Sequence, residues 1–245
     1  MSYRKELETA KKAALAAGQI LIEQKNNLNK SIFSSNTDIK LEADIVAEKL
    51  IKEILTDETS FPILAEESGQ SSDQLSDIFW VVDPLDGTAN YSRNIPICCV
   101  SIALIKNMKP VLGVIYDFSN NDLYEGSVNT TAMQNGLEIK VSDISNQSEG
   151  ILITGLPNKT DYSDEALLKM VKDFQGWRKV RMIGSAAMAS CYIASGKGDL
   201  YQENGIYFWD IVAGASIVEA AGGSAKILNM QDNYQVDVIF SNSQI

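Results

Sequence analysis

The sequence predicts a fold of mixed α+β and α/β character, in which an antiparallel sheet in the first half precedes alternating strands and helices in the second. Three observations indicate this. Apolar residues recur every three or four positions near the N-terminus, short apolar runs joined by polar turns follow between residues 78 and 126, and strand-like and helix-like segments alternate after about Gly150. We divide the chain into residues 1–145 and 146–245 and expect one packed domain, because no Pro-, Gly- or Ser-rich linker separates these halves.

The first half is predicted to contain two amphipathic helices and five strands. Segments 7–21 and 41–55 carry apolar residues at helical spacing, which is typical of a helix with one buried face. The predicted strands cover residues 61–64, 78–82, 98–105, 111–117 and 122–126. A long polar segment at 31–40 separates the helices and is interpreted as a surface loop.

The second half is predicted to alternate strands with helices. The predicted strands cover residues 151–154, 179–182, 199–201 and 236–240, and the predicted helices cover residues 164–174, 185–195 and 210–221. This order is typical of an α/β arrangement, in which helices cover the faces of a sheet.

The stretch DPLDGTAN, which begins at Asp83, carries the strongest chemical signal of the chain. Asp83 and Asp86 lie on either side of Pro84, whose ring fixes φ at about −65° and stiffens the turn, so both carboxylates can converge on one point. Gly87 permits close backbone approach, and Thr88 begins a predicted helix whose unpaired N–H groups would face the same point. The pattern suits divalent cations beside a phosphate, while an ordinary Asp-Pro turn is the alternative.

Two other segments supply further carboxylates. Glu66 and Glu67 follow a predicted strand, and Asp210 opens a predicted helix. Taken singly, the glutamates could be a solvated strand edge and the aspartate a plain helix cap. Taken together, Glu66, Asp83, Asp86 and Asp210 form an all-oxygen ligand set suited to Mg²⁺ or Mn²⁺.

The composition narrows the chemistry. The chain contains no histidine, which removes phosphohistidine chemistry, His-activated Ser or Cys nucleophiles and imidazole metal ligands. Cys98, Cys99 and Cys191 lie in apolar segments and are expected to be core residues.

The net charge of the chain limits its partners. With 32 acidic residues against 21 basic ones the formal charge is −11, which argues against a nucleic-acid-binding surface. A bare carboxylate cluster would also repel a phosphate, so we expect substrate binding to require cations.

The segments LAEES, WVVDPLDGTANY and WDIVAGASIVEAAGG resemble the three signatures of the inositol monophosphatase family, whose members are metal-dependent, lithium-sensitive phosphatases. The resemblance runs nearly end to end. It implies the layered αβαβα sandwich of the inositol monophosphatase and fructose-1,6-bisphosphatase type. It also implies that segment 31–40 is mobile, closes over the site and helps to hold a third cation.

The resemblance further implies roles for individual residues. The implied ligands are Glu66, Asp83 and the Leu85 carbonyl for a first Mg²⁺, Asp83, Asp86 and Asp210 for a second, and Glu66 for a weakly held third, with Mn²⁺ able to substitute. The implied catalytic residues are Asp44, Thr88, Glu66 and Asp83, of which Thr88, bonded to Asp44, would orient the attacking water. The remaining implied contacts are Gly87 and Thr88 to the phosphate, and Asp86, Ala186, Glu203 and Asp210 to the rest of the substrate.

The implied reaction is hydrolysis of a phosphate monoester by a metal-activated water, with two cations about 3.5–4 Å apart. A polyol or sugar phosphate such as inositol-1-phosphate is the leading substrate, because Glu203 suits substrate hydroxyls. A 3'(2'),5'-bisphosphate nucleotide, fructose-1,6-bisphosphate and histidinol phosphate are alternatives, and Lys197 is a basic residue that could meet a second phosphate. An alternative of another class is a non-catalytic, protein-binding regulator of the transcription machinery.

The expected partner is therefore a small phosphorylated metabolite, with neither nucleic acid nor membrane involved. The N-terminal segment is interrupted by Glu6, Glu8 and several lysines before it reaches the length of a signal peptide, and no apolar run is long enough to span a membrane. A cytoplasmic location is expected on these grounds. Homodimerisation is expected from the resemblance alone.

Overall fold

The structure, a computed structural model, describes residues 3–34, 39–72, 74–156 and 162–245. Its helices and two large sheets stack in alternating layers, which confirms the predicted αβαβα fold class. The first half contains, in chain order, α1 (Arg4–Glu23), α2 (Lys25–Leu28), β1 (Ser31–Ser34), β2 (Ile39–Leu41), α3 (Glu42–Glu58), β3 (Ile63–Ala65), β4 (Gly69–Gln70), β5 (Ile78–Asp86), α4 (Thr88–Ser92), β6 (Cys99–Lys106), β7 (Lys109–Asp117), β8 (Asp122–Ser127), β9 (Met133–Gln134) and β10 (Leu137–Glu138).

Eight of these strands form one sheet in the order β10-β9-β8-β7-β6-β5-β3-β4. Neighbouring strands are antiparallel except for β3 and β5, which run parallel. Helices α1 and α3 pack on one face of this sheet. Because side chains alternate along a strand, Trp80 and Val82 of β5 enter the core beneath these helices, whereas Phe79 and Val81 enter the core on the opposite face.

The polar segment at 31–40 is only in part the loop that the sequence predicts. Strands β1 and β2 pair as an antiparallel ribbon, so the surface-loop interpretation is wrong for these residues. The polar–apolar pattern of the sequence does not indicate this ribbon, because its side chains do not alternate between core and solvent. Ile32 and Phe33 are both about half exposed. Residues 35–38, where the predicted mobility would be centred, lie outside the described residues.

The second half contains, in chain order, β11 (Ile151–Thr154), α5 (Asp164–Phe174), β12 (Lys179–Met182), α6 (Ala186–Ala194), β13 (Leu200–Tyr207), α7 (Phe208–Ala220), β14 (Ser224–Leu228) and β15 (Gln235–Ser241). Its sheet has the order β12-β11-β13-β15-β14. The first three strands are parallel to one another, as expected for an α/β unit, whereas β14 and β15 pair in antiparallel fashion. The sheet is therefore mixed.

Helices α6 and α7 form the middle layer between the two sheets. Helix α7 approaches the larger sheet and α6 so closely that glycines are required at the contacts. A Cβ atom on Gly113 of β7 would lie 2.1 Å from the carbonyl oxygen of Ala213, and one on Gly214 would lie 2.2 Å from the Cβ of Ser190. Backbone contact of this kind fixes the position of α7, and therefore of the Asp210 at its start.

Most predicted elements are present with small shifts at their ends. Strand β13 is the largest correction, because it continues to Tyr207 rather than ending at residue 201, and strand β14 is not predicted at all. The three cysteines are buried, which confirms their assignment to the core. Among the described residues, no helix has the length and apolar character needed to cross a bilayer.

Candidate active site

A cavity of about 300 Å³ lies where β5, α4, α6, β13 and α7 meet. The acidic residues that line it come from four separate segments of the chain. They are Glu66, Asp83, Asp86, Glu203 and Asp210. The cavity also contains the predicted backbone and substrate contacts Leu85, Gly87, Thr88 and Ala186. The structure thus brings together in one cavity every predicted site residue except Asp44, which lies directly behind Thr88.

A bulge at the end of β5 turns Asp83 and Asp86 toward the same cavity. Residues three apart in a regular strand point to opposite faces of the sheet. Here Asp83 pairs with Ser101 and Asp86 with Cys99, so β5 contains one residue more than β6 between these pairs. Pro84 is tolerated inside the sheet because it lies in this bulge. Asp83 and Asp86 are therefore the last paired residues of β5 rather than residues that follow the strand.

The start of helix α6 holds Asp86. Its Oδ2 accepts hydrogen bonds from the Ser185 hydroxyl and from the Ala187 backbone N–H at 2.8 Å. Ser185 is the N-cap of α6, where its hydroxyl oxygen also accepts from the Met188 N–H. Sequence reasoning missed the role of Ser185, although a serine immediately before the apolar run AAMASCYIA is a recognisable helix-cap signal.

Glu66 reaches Asp83 from the neighbouring strand. The Glu66 backbone N–H donates to the Val82 carbonyl at 3.1 Å, which extends the pairing of β3 with β5, and the two side-chain carboxyls form a hydrogen bond. Burial, followed by the charge of Glu67, raises the pKa of Glu66 to about 8. Two carboxyls that share a small buried site do not both ionise readily, which is why each raises the cost of charging the other.

Two aspartates cap helices at the edge of the site. Asp210 accepts from the Tyr207 backbone N–H at 3.2 Å at the start of α7, and Asp44 accepts from the Leu41 backbone N–H at 2.6 Å at the start of α3. Each is the third residue of its helix and bonds back to the backbone N–H of the N-cap residue, so Asp210 is not itself the N-cap that the plain-cap alternative assumes. Each also has a second contact: Asp210 lines the cavity, and Oδ1 of Asp44 lies 3.1 Å from the Thr88 hydroxyl.

Glu203 enters the cavity from the second sheet and lies directly before another bulge. Glu203 pairs with Val238 and Ile206 with Val236, so β13 contains one additional residue, and Gly205 takes a left-handed φ of 71° there. The Tyr201 hydroxyl donates to Oε2 of Glu203 at 3.0 Å. Burial raises the pKa of Glu203 to about 7, and the Tyr201 hydrogen bond opposes this shift.

The carboxyls of the site share one electrostatic trend. Burial is the largest cause that raises the pKa of Asp83, Asp86 and Asp210, and the charges of the other site carboxyls add to it for Asp83 and Asp210. Asp44 follows the same trend, since burial raises its pKa to about 7 against the opposing Leu41 hydrogen bond. Ionising the whole set costs free energy unless a positive charge is present.

The donor chemistry fits a hard divalent cation. Oxygens from Glu66, Asp83, Asp86 and Asp210, with no nitrogen or sulfur among them, are what Mg²⁺ and Mn²⁺ prefer. Across the described ranges, no group of three or more acidic or cysteine side chains is arranged so that it could hold a metal ion as it stands. Because like-charged carboxylates repel one another, we expect the set to close only around its cations.

The sequence also matches a known family of proteins. A sequence profile described as the inositol monophosphatase family matches residues 2–243. The chain belongs to the inositol monophosphatase family. This confirms the resemblance carried by the three sequence signatures, and it supports a phosphatase without specifying the substrate.

Individual relatives agree with the family assignment. The chain is 38% identical to a protein of Xylella fastidiosa named "Nus factor SuhB" over 216 residues, which are 86% of this chain and 78% of the relative. It is 35% identical over 232 residues to a "Fructose-1,6-bisphosphatase/inositol-1-monophosphatase" of Aquifex aeolicus, with 91% of this chain and 85% of the relative covered. A solved inositol monophosphatase from Anabaena superposes with a TM-score of 0.86 at 34% identity, covering 99% of this chain and 92% of that one.

Proposed function

We propose that this member of the inositol monophosphatase family is a Mg²⁺-dependent phosphomonoesterase that hydrolyses a small polyol or sugar phosphate such as inositol-1-phosphate. The observation that supports this most strongly is the meeting of Glu66, Asp83, Asp86 and Asp210 in one cavity. Loop chemistry or helix capping does not account for four carboxylates that face each other at electrostatic cost.

The carboxylates divide their oxygens between the protein and the cavity. One oxygen of Asp83 accepts from the Leu85 N–H at 3.0 Å, one of Asp86 accepts from α6, and one of Asp210 accepts from Tyr207. Each side chain is oriented by that bond and can present its other oxygen to Mg²⁺, as can Glu66 and the Leu85 carbonyl. When bound, two Mg²⁺ ions would neutralise phosphate charge and make a nearby water more acidic.

Thr88 and Asp44 would position the attacking water. The Thr88 hydroxyl lies 3.1 Å from Asp44 Oδ1 and 3.0 Å from the Leu85 carbonyl oxygen, so its proton is directed into the protein. A lone pair of Thr88 is then available to accept a hydrogen bond from a water in the cavity. Asp44, with both oxygens engaged, would hold this orientation. The backbone N–H groups of Gly87 and Thr88 would hold the phosphate.

Glu203 and Ala186 would contact the leaving group on the other side of the cavity. A carboxylate that is itself held by Tyr201 is a suitable acceptor for the hydroxyls of a polyol or sugar. No Lys or Arg of the described segments lines this cavity. Lys197 instead donates to the Tyr124 hydroxyl at 3.2 Å and lies over the Tyr192 ring. This placement favours a monophosphate over a bisphosphate nucleotide.

A panel of phosphate esters assayed with Mg²⁺ tests the proposal. We expect release of phosphate from inositol-1-phosphate, and we expect a similar or lower rate with fructose-1,6-bisphosphate, given the double name of the Aquifex relative. Rapid release from an adenosine 3',5'-bisphosphate with none from inositol phosphates would reverse this order. No release from any ester, with or without Mg²⁺, would contradict the proposal itself.

A second candidate function is a protein-binding role in transcription, because one relative is named a Nus factor. The variant Asp83→Asn separates the two functions, since it should abolish turnover while leaving the outer surface unchanged. If a strain that lacks the protein is fully rescued by this variant, the binding role is the one that matters in the cell. If it is not rescued although the variant accumulates normally, the phosphatase role is supported.

Three further properties are proposed from family membership. They are inhibition by lithium, homodimerisation and a cytoplasmic location. Lithium titration of the Mg²⁺-dependent activity, light scattering of the purified chain and microscopy of a tagged chain test them in turn.

A further inference from the structure

Two adjacent glutamates stand beside the proposed cation site, and their side chains point in different directions. Glu66 lines the cavity and hydrogen-bonds with Asp83. Glu67 does not line that cavity; it lies in a separate depression against helix α3, together with Ile45 and Glu48. The sequence LAEES offers no reason why the first glutamate rather than the second should serve the cations.

Contacts from α3 and β2 hold Glu67 in this orientation. Its backbone N–H donates to Oε2 of Glu48 at 2.8 Å, and its Oε2 lies 2.5 Å from Nζ of Lys40. The Glu67 side chain is only 3% exposed, whereas that of Lys40 is 36% exposed. A buried carboxylate with a cationic partner is much less costly than one without it.

The charge of Glu67 still reaches the site. It is among the influences that raise the pKa of both Glu66 and Asp44, so it lies close enough to affect a bound cation. Without the positive charge of Lys40, Glu67 would gain by turning toward any Mg²⁺ held by Glu66, because the ion would neutralise it. Lys40 supplies that neutralisation from the other side.

From this arrangement we infer that Lys40 is a positioning residue of the proposed metal site: by pairing with Glu67 it keeps that carboxylate out of the cation cluster and leaves Glu66 as the glutamate ligand. The inference rests on the proposed function. Strand β2 suits the task, since the residue after Lys40, Leu41, donates its N–H to Asp44. Strand β2 thus contacts both Glu67, which does not line the cavity, and Asp44, which bonds to Thr88.

Mg²⁺ titrations of the unfolding temperature test this inference without relying on activity. At a fixed pH, Lys40→Met should lower the Mg²⁺ concentration for half-maximal stabilisation by roughly fivefold, an effect on the order expected from one unit of charge near a divalent ion. In parallel, kcat should fall by about tenfold with KM little changed, since an extra ligand alters the cations rather than the leaving-group contacts.

Matched variants separate charge compensation from a general loss of structure. Lys40→Arg should behave like wild type. Glu67→Gln in the Lys40→Met background should restore both Mg²⁺ affinity and kcat, because no buried charge then needs a partner. Lys12→Met is the control for loss of an ion pair elsewhere, since Lys12 pairs with Glu58 at 3.1 Å on the surface.

The inference is overturned if Lys40→Met and the double variant have equal Mg²⁺ affinity and equal kcat, or if Lys40→Met weakens Mg²⁺ binding. Failure of the proposed function looks different. In that case the wild-type protein itself would show neither Mg²⁺-dependent stabilisation nor phosphate release, whereas failure of the Lys40 inference alone leaves both wild-type properties intact.

Discussion

Helices α3 and α7 begin with the same local structure and yet supply the site with different chemistry. In each, an aspartate at the third helical position accepts from the backbone N–H three residues earlier, Leu41 for Asp44 and Tyr207 for Asp210. Asp44 is 1% exposed, and both its oxygens are engaged by the protein. Asp210 lines the cavity beside the charges of Glu66 and Asp86.

The difference shows that a capping motif fixes an aspartate in space without deciding its function. The group that faces the second carboxylate oxygen decides which function the aspartate can have. At Asp44 this neighbour is a hydroxyl, so the side chain can orient a hydrogen bond but has no oxygen left for a cation. At Asp210 the neighbours are other carboxylates, so the side chain can share a cation with them.

The variant Asp210→Asn should show the largest effect. Its side-chain oxygen can still accept from Tyr207, so helix α7 should remain capped, while a charged ligand is lost. We expect kcat to fall by about 10³-fold, the upper range for loss of one electrostatic stabiliser, and Mg²⁺-dependent stabilisation to weaken markedly. Steady-state kinetics and Mg²⁺-dependent unfolding temperatures measure both. An unchanged response to Mg²⁺ would remove Asp210 from the ligand set.

The variant Asp44→Asn should have a smaller effect of a different kind. We expect kcat to fall by about 10²-fold, as for loss of a group that positions a transferred proton, with the Mg²⁺ requirement changed by less than about twofold. Thr88→Val should cause a similar loss, and the double variant should be no worse than either, because the two residues act as one unit. If the losses multiply, Asp44 acts independently of Thr88 and the comparison with Asp210 fails.

The pH dependence of stability should be the smallest effect, and it applies to the protein without divalent cations. The raised pKa values, about 7 for Asp44 and Glu203 and about 8 for Glu66, mean that the folded chain retains protons that the unfolded chain loses above about pH 4–5. Stability should therefore fall as pH rises from about 5 to about 8. Unfolding by urea in EDTA across this range measures it, and saturating Mg²⁺ should flatten the curve. A rise in stability over the same interval would contradict the assigned directions.

Part of the fold and of the candidate site could be predicted from the sequence, because the signal for these parts is local. Segments 164–174 and 179–182 coincide with α5 and β12, since the helical periodicity of the first and the alternation of polar and apolar residues in the second are read directly from the sequence. Family membership, shown by the three signatures, extended this to the layered fold and to the candidate ligands. The resemblance implies both aspartates at the helix starts, whereas the residues alone indicate only that Asp210 opens a helix.

What the sequence could not show depends on register and on distant neighbours. The bulge before Asp86 turns that side chain to the same side as Asp83, the bulge after Glu203 shifts the residues that follow it, and no pattern of apolar residues marks either bulge. The polar segment around Glu203 also led to the early end predicted for β13. The three signatures indicate Glu66 rather than Glu67 as the ligand, but they do not show the ion pair between Glu67 and Lys40, 27 positions earlier in the chain, from which we infer the physical reason for that choice.

We propose that acidic side chains from separate segments hold a pair of divalent cations. Electron paramagnetic resonance of bound Mn²⁺ is the sharpest test, with the wild-type protein and Asp83→Asn compared at equal Mn²⁺. We expect a spectrum of two magnetically coupled ions about 3.5–4 Å apart in the wild type, and loss of the coupling in the variant, since Asp83 is the ligand that both ions would share. A single isolated ion in the wild type, or the same coupled spectrum in Asp83→Asn, would contradict it.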